Sequence, residues 1–169
     1  VTALCVSQKN NNTVHVKYIT ETIKIDASLD EGPWELTKPA TNFWEHFPTD
    51  KKQSKQQTEI KMMFDDLNLY IGIKVNSASN NYIVPSLRRD FRASGNDNVT
   101  LLFDTFNDGT NAFFFGTNPL GVKREALLSG GGTDLRGFNL AWDTKWVCET
   151  KIYDNFYISE IKIPLSAFK

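Results

Sequence analysis

The chain is poor in the residues that carry most catalytic and metal chemistry, with only 2 cysteines and 2 histidines among 169 residues. Cys5 and Cys148 sit near opposite ends, without a Cys-x-x-Cys pair or a Cys/His cluster, so a zinc site is not expected. They could bridge if the first and a late strand are neighbours. The simpler expectation is two unpaired thiols, with Cys148 half-buried in a strand. His15 and His46 lie in separate peripheral segments and no Gly-x-Ser-x-Gly turn exists, which argues against a Ser/His/Asp hydrolase. The glycines at 130 to 132 lack the Lys-Ser/Thr and the helix of a phosphate loop. Charge bias is missing too: 19 Lys and Arg face 20 Asp and Glu, net −1, which leaves no basic face for nucleic acid. No apolar run approaches the roughly 20 residues that span a bilayer, so direct membrane insertion is not expected. The chain begins at Val1 rather than Met, as a processed product would, and any signal peptide would then be unseen. Glycoside hydrolysis needs two convergent carboxylates, whereas Glu125, Asp134, Asp143 and Glu160 are scattered.

What is abundant is aromatic residues and a two-residue period. Aromatics make up 12%, with 12 Phe and 4 Trp, enough for a core and an exposed platform. In "TEIKMMF" Ile60, Met62 and Phe64 share one face; in "LYIGIKV" Leu69, Ile71, Ile73 and Val75 do. "DDLN" between them reads as a hairpin tip. "NVTLLFD" and "NAFFFGTN" form a second pair, and "KWVCETKIYD" with "FYISEIKIPL" a third around Asp154-Asn155. "TIKIDASLDEGPW" predicts a short strand, then a loop, and no helix exceeds a turn or two. Three alternating hairpins predict an all-β fold, an antiparallel β-sandwich or jelly roll. Residues 76 to 98 and 121 to 141 read as long polar loops, the usual seat of binding on a rigid sandwich. The stretch 48 to 57 reads as a solvated connector.

In "DTFNDGTNAFFFGTNPLG", residues 104 to 121, Asp104, Asn107 and Asp108 cluster oxygen donors as calcium prefers. The EF-hand spacing fails, with Phe115 where the terminal Glu belongs, and Asn-Asp-Gly is also what a tight hairpin demands. Alternation splits the three phenylalanines, Phe114 to one face and Phe113 and Phe115 to the other. A sugar site needs an aromatic surface for a ring's C–H face and planar polar groups for its hydroxyls. Trp142 and Trp146 in "AWDTKW" follow the Gly-rich segment, Trp142 the more exposed and Trp146 expected in the core. Trp34, next to Pro33, is expected to plug a sandwich end. "SLRRDFRASGNDN" supplies Arg88, Arg89, Asp90, Asn96 and Asp97, a run that also reads as a surface ion-pair cluster.

Four ordered blocks, "IKIDASLDEGPW", "QTEIKMMFDDLNLYIGIKV", "RRDFRASGNDNVTLLFDTFNDGTNAFFFGTNPLGV" and "AWDTKW…YISEIKIPLSAF", resemble family 9 carbohydrate-binding modules. The likeness is nearest to the N-terminal module of large envelope proteins from Bacteroidetes-type bacteria. It implies residues 1 to 22 as a lead-in or first strand and 23 to 169 as a carbohydrate-binding β-sandwich without catalytic machinery. It implies Trp142 as a stacking residue, Trp44 as a candidate second one, and Arg88, Arg89, Asp90 and Asn118 as readers of hydroxyls. It implies structural calcium on Asp97, Asp104, Asp108 or Glu160, the last a carboxylate interrupting an apolar strand. Glu125 in "GVKREAL" stands where this subgroup would have Asp. The implied setting is extracytoplasmic, periplasmic, outer-membrane-associated or secreted. The implied partners are a carbohydrate and a C-terminal domain of the parent protein, an outer-membrane barrel among the options, in a protein linked to carbohydrate catabolism. The rival readings are an interaction sandwich that has lost its sugar and a small hydrolase domain.

Overall fold

The computed structural model describes residues 13–46, 51–132 and 137–169. Cys5 and Asp134 lie outside the described residues, as do part of the 48 to 57 connector and most of the 1 to 22 lead-in. The elements in chain order are β1 (Lys17–Tyr18), α1 (Gly32–Leu36), β2 (Thr58–Phe64), β3 (Asn68–Asn76), β4 (Val99–Phe103), β5 (Ala112–Thr117), β6 (Lys123–Leu128), β7 (Phe138–Asn139), β8 (Val147–Ile152) and β9 (Phe156–Pro164). They form two sheets, ordered β1-β2-β3-β9-β8 and β4-β5-β6-β7. β1 runs parallel to β2 and the remaining pairings are antiparallel. The fold is an all-β sandwich.

The β2–β3 hairpin forms because its alternating apolar residues share one face and its tip closes itself. Asp65 Oδ1 accepts the N–H groups of Leu67 at 2.8 Å and Asn68 at 2.6 Å. Ile71, Ile73, Phe115 and Ile163 are fully buried between the sheets. Trp146 joins them at 3% exposure, as expected. Cys148 is a half-buried free thiol whose Sγ lies 3.4 Å from Thr117 Oγ1, and burial raises its pKa.

Three expectations fail here. Residues 121 to 141 are not one loop, because β6 and β7 extend the second sheet. Ile23–Asp26 forms no strand; it crosses the outer face of the five-stranded sheet as part of a third layer. There Ile19, Ile23 and Trp34 pack on Met63 and Tyr70. Trp34, with no exposed surface, plugs this outer face and not a sandwich end. Glu160 explains the arrangement. Its Oε2 accepts the backbone N–H of Asp26 and of Ala27, both at 2.9 Å, and its Oε1 accepts the Trp34 indole N–H at 3.0 Å. Backbone donors that a strand neighbour would satisfy are taken by a carboxylate instead.

The layer also needs Gly72, since a Cβ there would lie 2.7 Å from Leu29 Cδ2 and 3.2 Å from Trp34 Cζ3. Gly72→Ala is expected to cost about 1–3 kcal/mol by overpacking, a fall in melting temperature of several degrees by scanning calorimetry. An unchanged melt would mean that Leu29 swings aside freely.

Candidate functional site

The strongest constellation gathers where the segment 86 to 92 meets the run from Trp142 to Trp146. Trp142 is half-buried. Its ring rests on two inward rings of β5, Phe113 with centroids 5.6 Å apart and Phe115 at 5.7 Å. The alternation predicted that pair, and Phe114 accordingly points outward beneath the Arg124 guanidinium at 4.5 Å. The Trp142 indole N–H has no acceptor among the described residues. Phe113 and Phe115 thus hold the indole at the edge of the core, with its polar edge unused.

The polar half is built on Glu125, 1% exposed on β6. Its Oε1 accepts from Arg89 Nη2 and its Oε2 from the Trp146 indole N–H. The same Arg89 nitrogen donates to Asp143 Oδ1 at 2.5 Å. Asp143 directly follows Trp142 and its side chain is 76% exposed. Arg89 therefore ties a buried carboxylate to a solvent-facing one beside the indole. Its other terminal nitrogen, Nη1, has no partner among the described residues. Asp90 fixes the approach of this segment. It adopts φ of 57°, its N–H donates to the Lys123 carbonyl at 3.1 Å, and its Oδ1 accepts the Glu125 N–H at 3.2 Å. Asp tolerates that left-handed backbone better than most residues because its short side chain bonds locally. Lys123 donates to the Trp146 carbonyl at 2.8 Å, and burial followed by the Arg89 charge lowers its pKa.

Chemically this is an anchored guanidinium with one terminal nitrogen to offer, next to an aromatic surface. Glu125 and Asp143 do converge, but on one guanidinium, and both Glu125 oxygens are occupied. A carboxylate so engaged positions its partners; it has no free oxygen to pass a proton to a substrate.

Several predicted residues stand elsewhere. Arg88 is exposed and its guanidinium makes no side-chain contact among the described residues. Asn118 is fully buried, with Oδ1 accepting the N–H groups of Leu120 and Val122, both at 3.0 Å. It organises the Asn-Pro-x-Gly turn and cannot reach a hydroxyl, which corrects its assignment as a reader. Trp44 is 56% exposed but bridges to Gln53 beside the start of β2, across the five-stranded sheet from the β8 edge that Trp142 leads into. The two tryptophans are not brought together as a clasp.

The expected calcium donors do not gather either. Asp97 Oδ2 braces the Ile83 N–H at 2.8 Å. Asp104 accepts the N–H groups of Asp108 and Gly109 at 3.2 and 2.8 Å. Asp108 accepts from the Thr110 and Asn111 backbone at 2.7 and 2.8 Å, and its bonds to Asn111 hold its carboxyl well below the usual range. Glu160 is fully buried under the outer layer, its pKa raised by burial. Among the described residues no group of three or more His, Cys, Asp or Glu is placed to hold a metal. These carboxylates do not fit a common ion, and the acidic stretch is a self-bonded hairpin tip.

No family model matches this chain, and no curated protein matches it in sequence. The fold has solved counterparts. A family 9 carbohydrate-binding module from Caldicellulosiruptor kristjanssonii, in complex with cellotriose, aligns with a TM-score of 0.60 over 90% of this chain and 67% of that one, at 17% identity. A family 9 module from the same organism, in complex with glucose, gives 0.59 over 89% and 68%, also at 17% identity. A candidate carbohydrate-binding protein from Bacteroides uniformis gives 0.59 over 90% and 72%, at 15% identity. At these identities the likeness is one of fold.

Proposed function

We propose that this chain, built on the fold of family 9 carbohydrate-binding modules, is itself a non-catalytic carbohydrate-binding module. Trp142 is the surface on which a sugar ring lies, and Arg89 with Asp143 reads its hydroxyls. The observation that carries this reading is the half-buried indole, its N–H without an acceptor among the described residues, next to a guanidinium held on Asp143 at 2.5 Å. The glucose and cellotriose held by the fold's counterparts support it.

Stacking uses the apolar face of the ring against the indole, and the two N–H groups of Arg89 Nη1, with the Asp143 carboxylate, meet its hydroxyls. Because Glu125 already immobilises the guanidinium, little side-chain freedom is lost on binding. One stacked ring and a few hydrogen bonds place the affinity at about −4 to −8 kcal/mol, millimolar to micromolar. Such affinity serves a tethered module, which raises the local concentration of a linked domain at its polymer. We assign it that targeting role within a larger extracytoplasmic protein.

The test is a titration of tryptophan fluorescence with mono- and oligosaccharides. A saturable change is expected, weakened at least about ten-fold by Trp142→Ala and untouched by Trp44→Ala. The rival, a protein-interaction sandwich, is favoured by Ile83 at 63% and Leu87 at 69% exposure on the segment before Arg88. A flat response to every sugar would select it.

A further inference from the structure

Next to Trp142 the four-stranded sheet ends in a recess of about 330 Å³, large enough for a small-molecule site. Phe113 and Leu127 form its floor, Phe106 and Asn111 come from the β4–β5 tip, and Ser129 and Asn139 from the ends of β6 and β7. Phe113 belongs to both features, since it lines the recess and supports the Trp142 ring. Phe106 is 69% exposed and touches no other ring among the described residues, so core packing does not account for it.

Two amides line this recess in fixed orientations. Asn111 Nδ2 donates to Asp108 Oδ2 at 2.8 Å and Thr110 Oγ1 at 3.1 Å, which leaves its Oδ1 without a partner among the described residues. Asn139 Oδ1 accepts the Ala141 N–H at 3.1 Å, which leaves its Nδ2 hydrogens unused among the described residues. The protein's own bonds decide which amide atom is left over in each case. An unused acceptor and unused donors between apolar walls suit a polyhydroxylated ring. The Asn139 bond also orders the turn that leads into Trp142, so one amide serves both halves.

The geometry points to a binding track longer than one ring, which takes an oligosaccharide of at least two units. One unit lies on Trp142 beside Arg89 and Asp143. The next enters the Phe113 recess, with Phe106 as the second aromatic surface and Asn111 and Asn139 as its polar contacts. This rests on the sugar-binding reading above and adds to it the ligand's length and the residue that senses it.

Calorimetric titration of the whole chain tests the track. The probes are glucose, cellobiose and cellotriose, then mono-, di- and trisaccharides of the xylo, manno and galacto series. In the series that binds, affinity is expected to rise about ten-fold or more from one unit to three. Phe106→Ala should remove that gain while leaving monosaccharide affinity and the melting temperature unchanged. Trp142→Ala should weaken every length. Equal affinity for one unit and three, or a Phe106→Ala protein that binds trisaccharide normally, overturns the track and leaves the Trp142 reading intact. Failure of the unsubstituted protein to bind any sugar overturns both.

Discussion

Glu160→Gln is expected to lower the melting temperature by on the order of 10 °C. Three buried or half-buried donors converge on this carboxylate, the N–H groups of Asp26 and Ala27 on one oxygen and the Trp34 indole on the other. Glutamine keeps one acceptor and presents an NH₂ group where the second stood. Either the indole or the two amides then face a donor, at a cost of about 1–3 kcal/mol for each group left unpaired. A total near 3 kcal/mol corresponds to roughly 6–12 °C for a chain of this size. Protonation is not equivalent to this substitution, because a neutral carboxyl still accepts at its hydroxyl oxygen and an amide nitrogen cannot. Burial raises the Glu160 pKa in the folded state, although the three N–H bonds pull the other way. A carboxyl with a raised folded pKa contributes stability that is complete below its unfolded value and is lost as pH rises through the folded value. Glutamine has no such titration. The gap between the parent and Glu160→Gln should therefore widen as pH falls from 7 toward 5. Matching melts at both pH values would show that the third layer is held by apolar packing alone.

Arg89→Met should destabilise by about 3 kcal/mol, while Arg88→Met stays within about 0.5 kcal/mol. The neighbours differ in what they leave behind. Arg88 has no side-chain partner among the described residues, whereas Arg89 is the cation of Glu125, a carboxylate with 1% exposure. Removing one member of a buried pair strands the other, which costs about 3–5 kcal/mol, and the 45% exposure of Arg89 argues for the lower end. Adding Glu125→Leu to Arg89→Met should recover only part of the loss, since no charge is then stranded but the buried Trp146 indole N–H loses its acceptor. Urea unfolding of the single and double variants measures this directly. Strict additivity of the two substitutions would mean that the ion pair is worth nothing to the fold.

The hairpins were legible because their signals are local. In 58 to 76 the alternation, the Asp65 turn and the pairing partner all lie within one short continuous stretch. The 104 to 111 tip was legible as a turn for the same reason. β6 was not, because "KREALL" is charged and rich in helix formers, and its strand state comes from β5 on one side and β7 on the other. The failed strand at Ile23–Asp26 has the same origin. Its apolar residues repeat every second position, but the acceptor for the Asp26 N–H is 134 residues away. At the site, Trp142 and Arg89 were readable as residue types, and Glu125 was singled out only as an unusual acid. That Glu125 and Asp143 share Arg89 depends on the register of β6, which no local pattern carries. Asn118 misled because a polar residue in an Asn-Pro turn resembles a surface group until its burial is seen.

The stitching of the outer layer by Glu160 has a consequence for synthesis on the ribosome. β3 lies between β2 and β9, so the five-stranded sheet has no centre until β9 has emerged. Until then the nascent Asp26, Ala27 and Trp34 donors lack their acceptor, and the Gly72 face of β3 has no neighbour on one flank. The earliest residues of the sandwich must wait for β9 before they lock, which makes closure of the outer layer a late step in the folding of this domain.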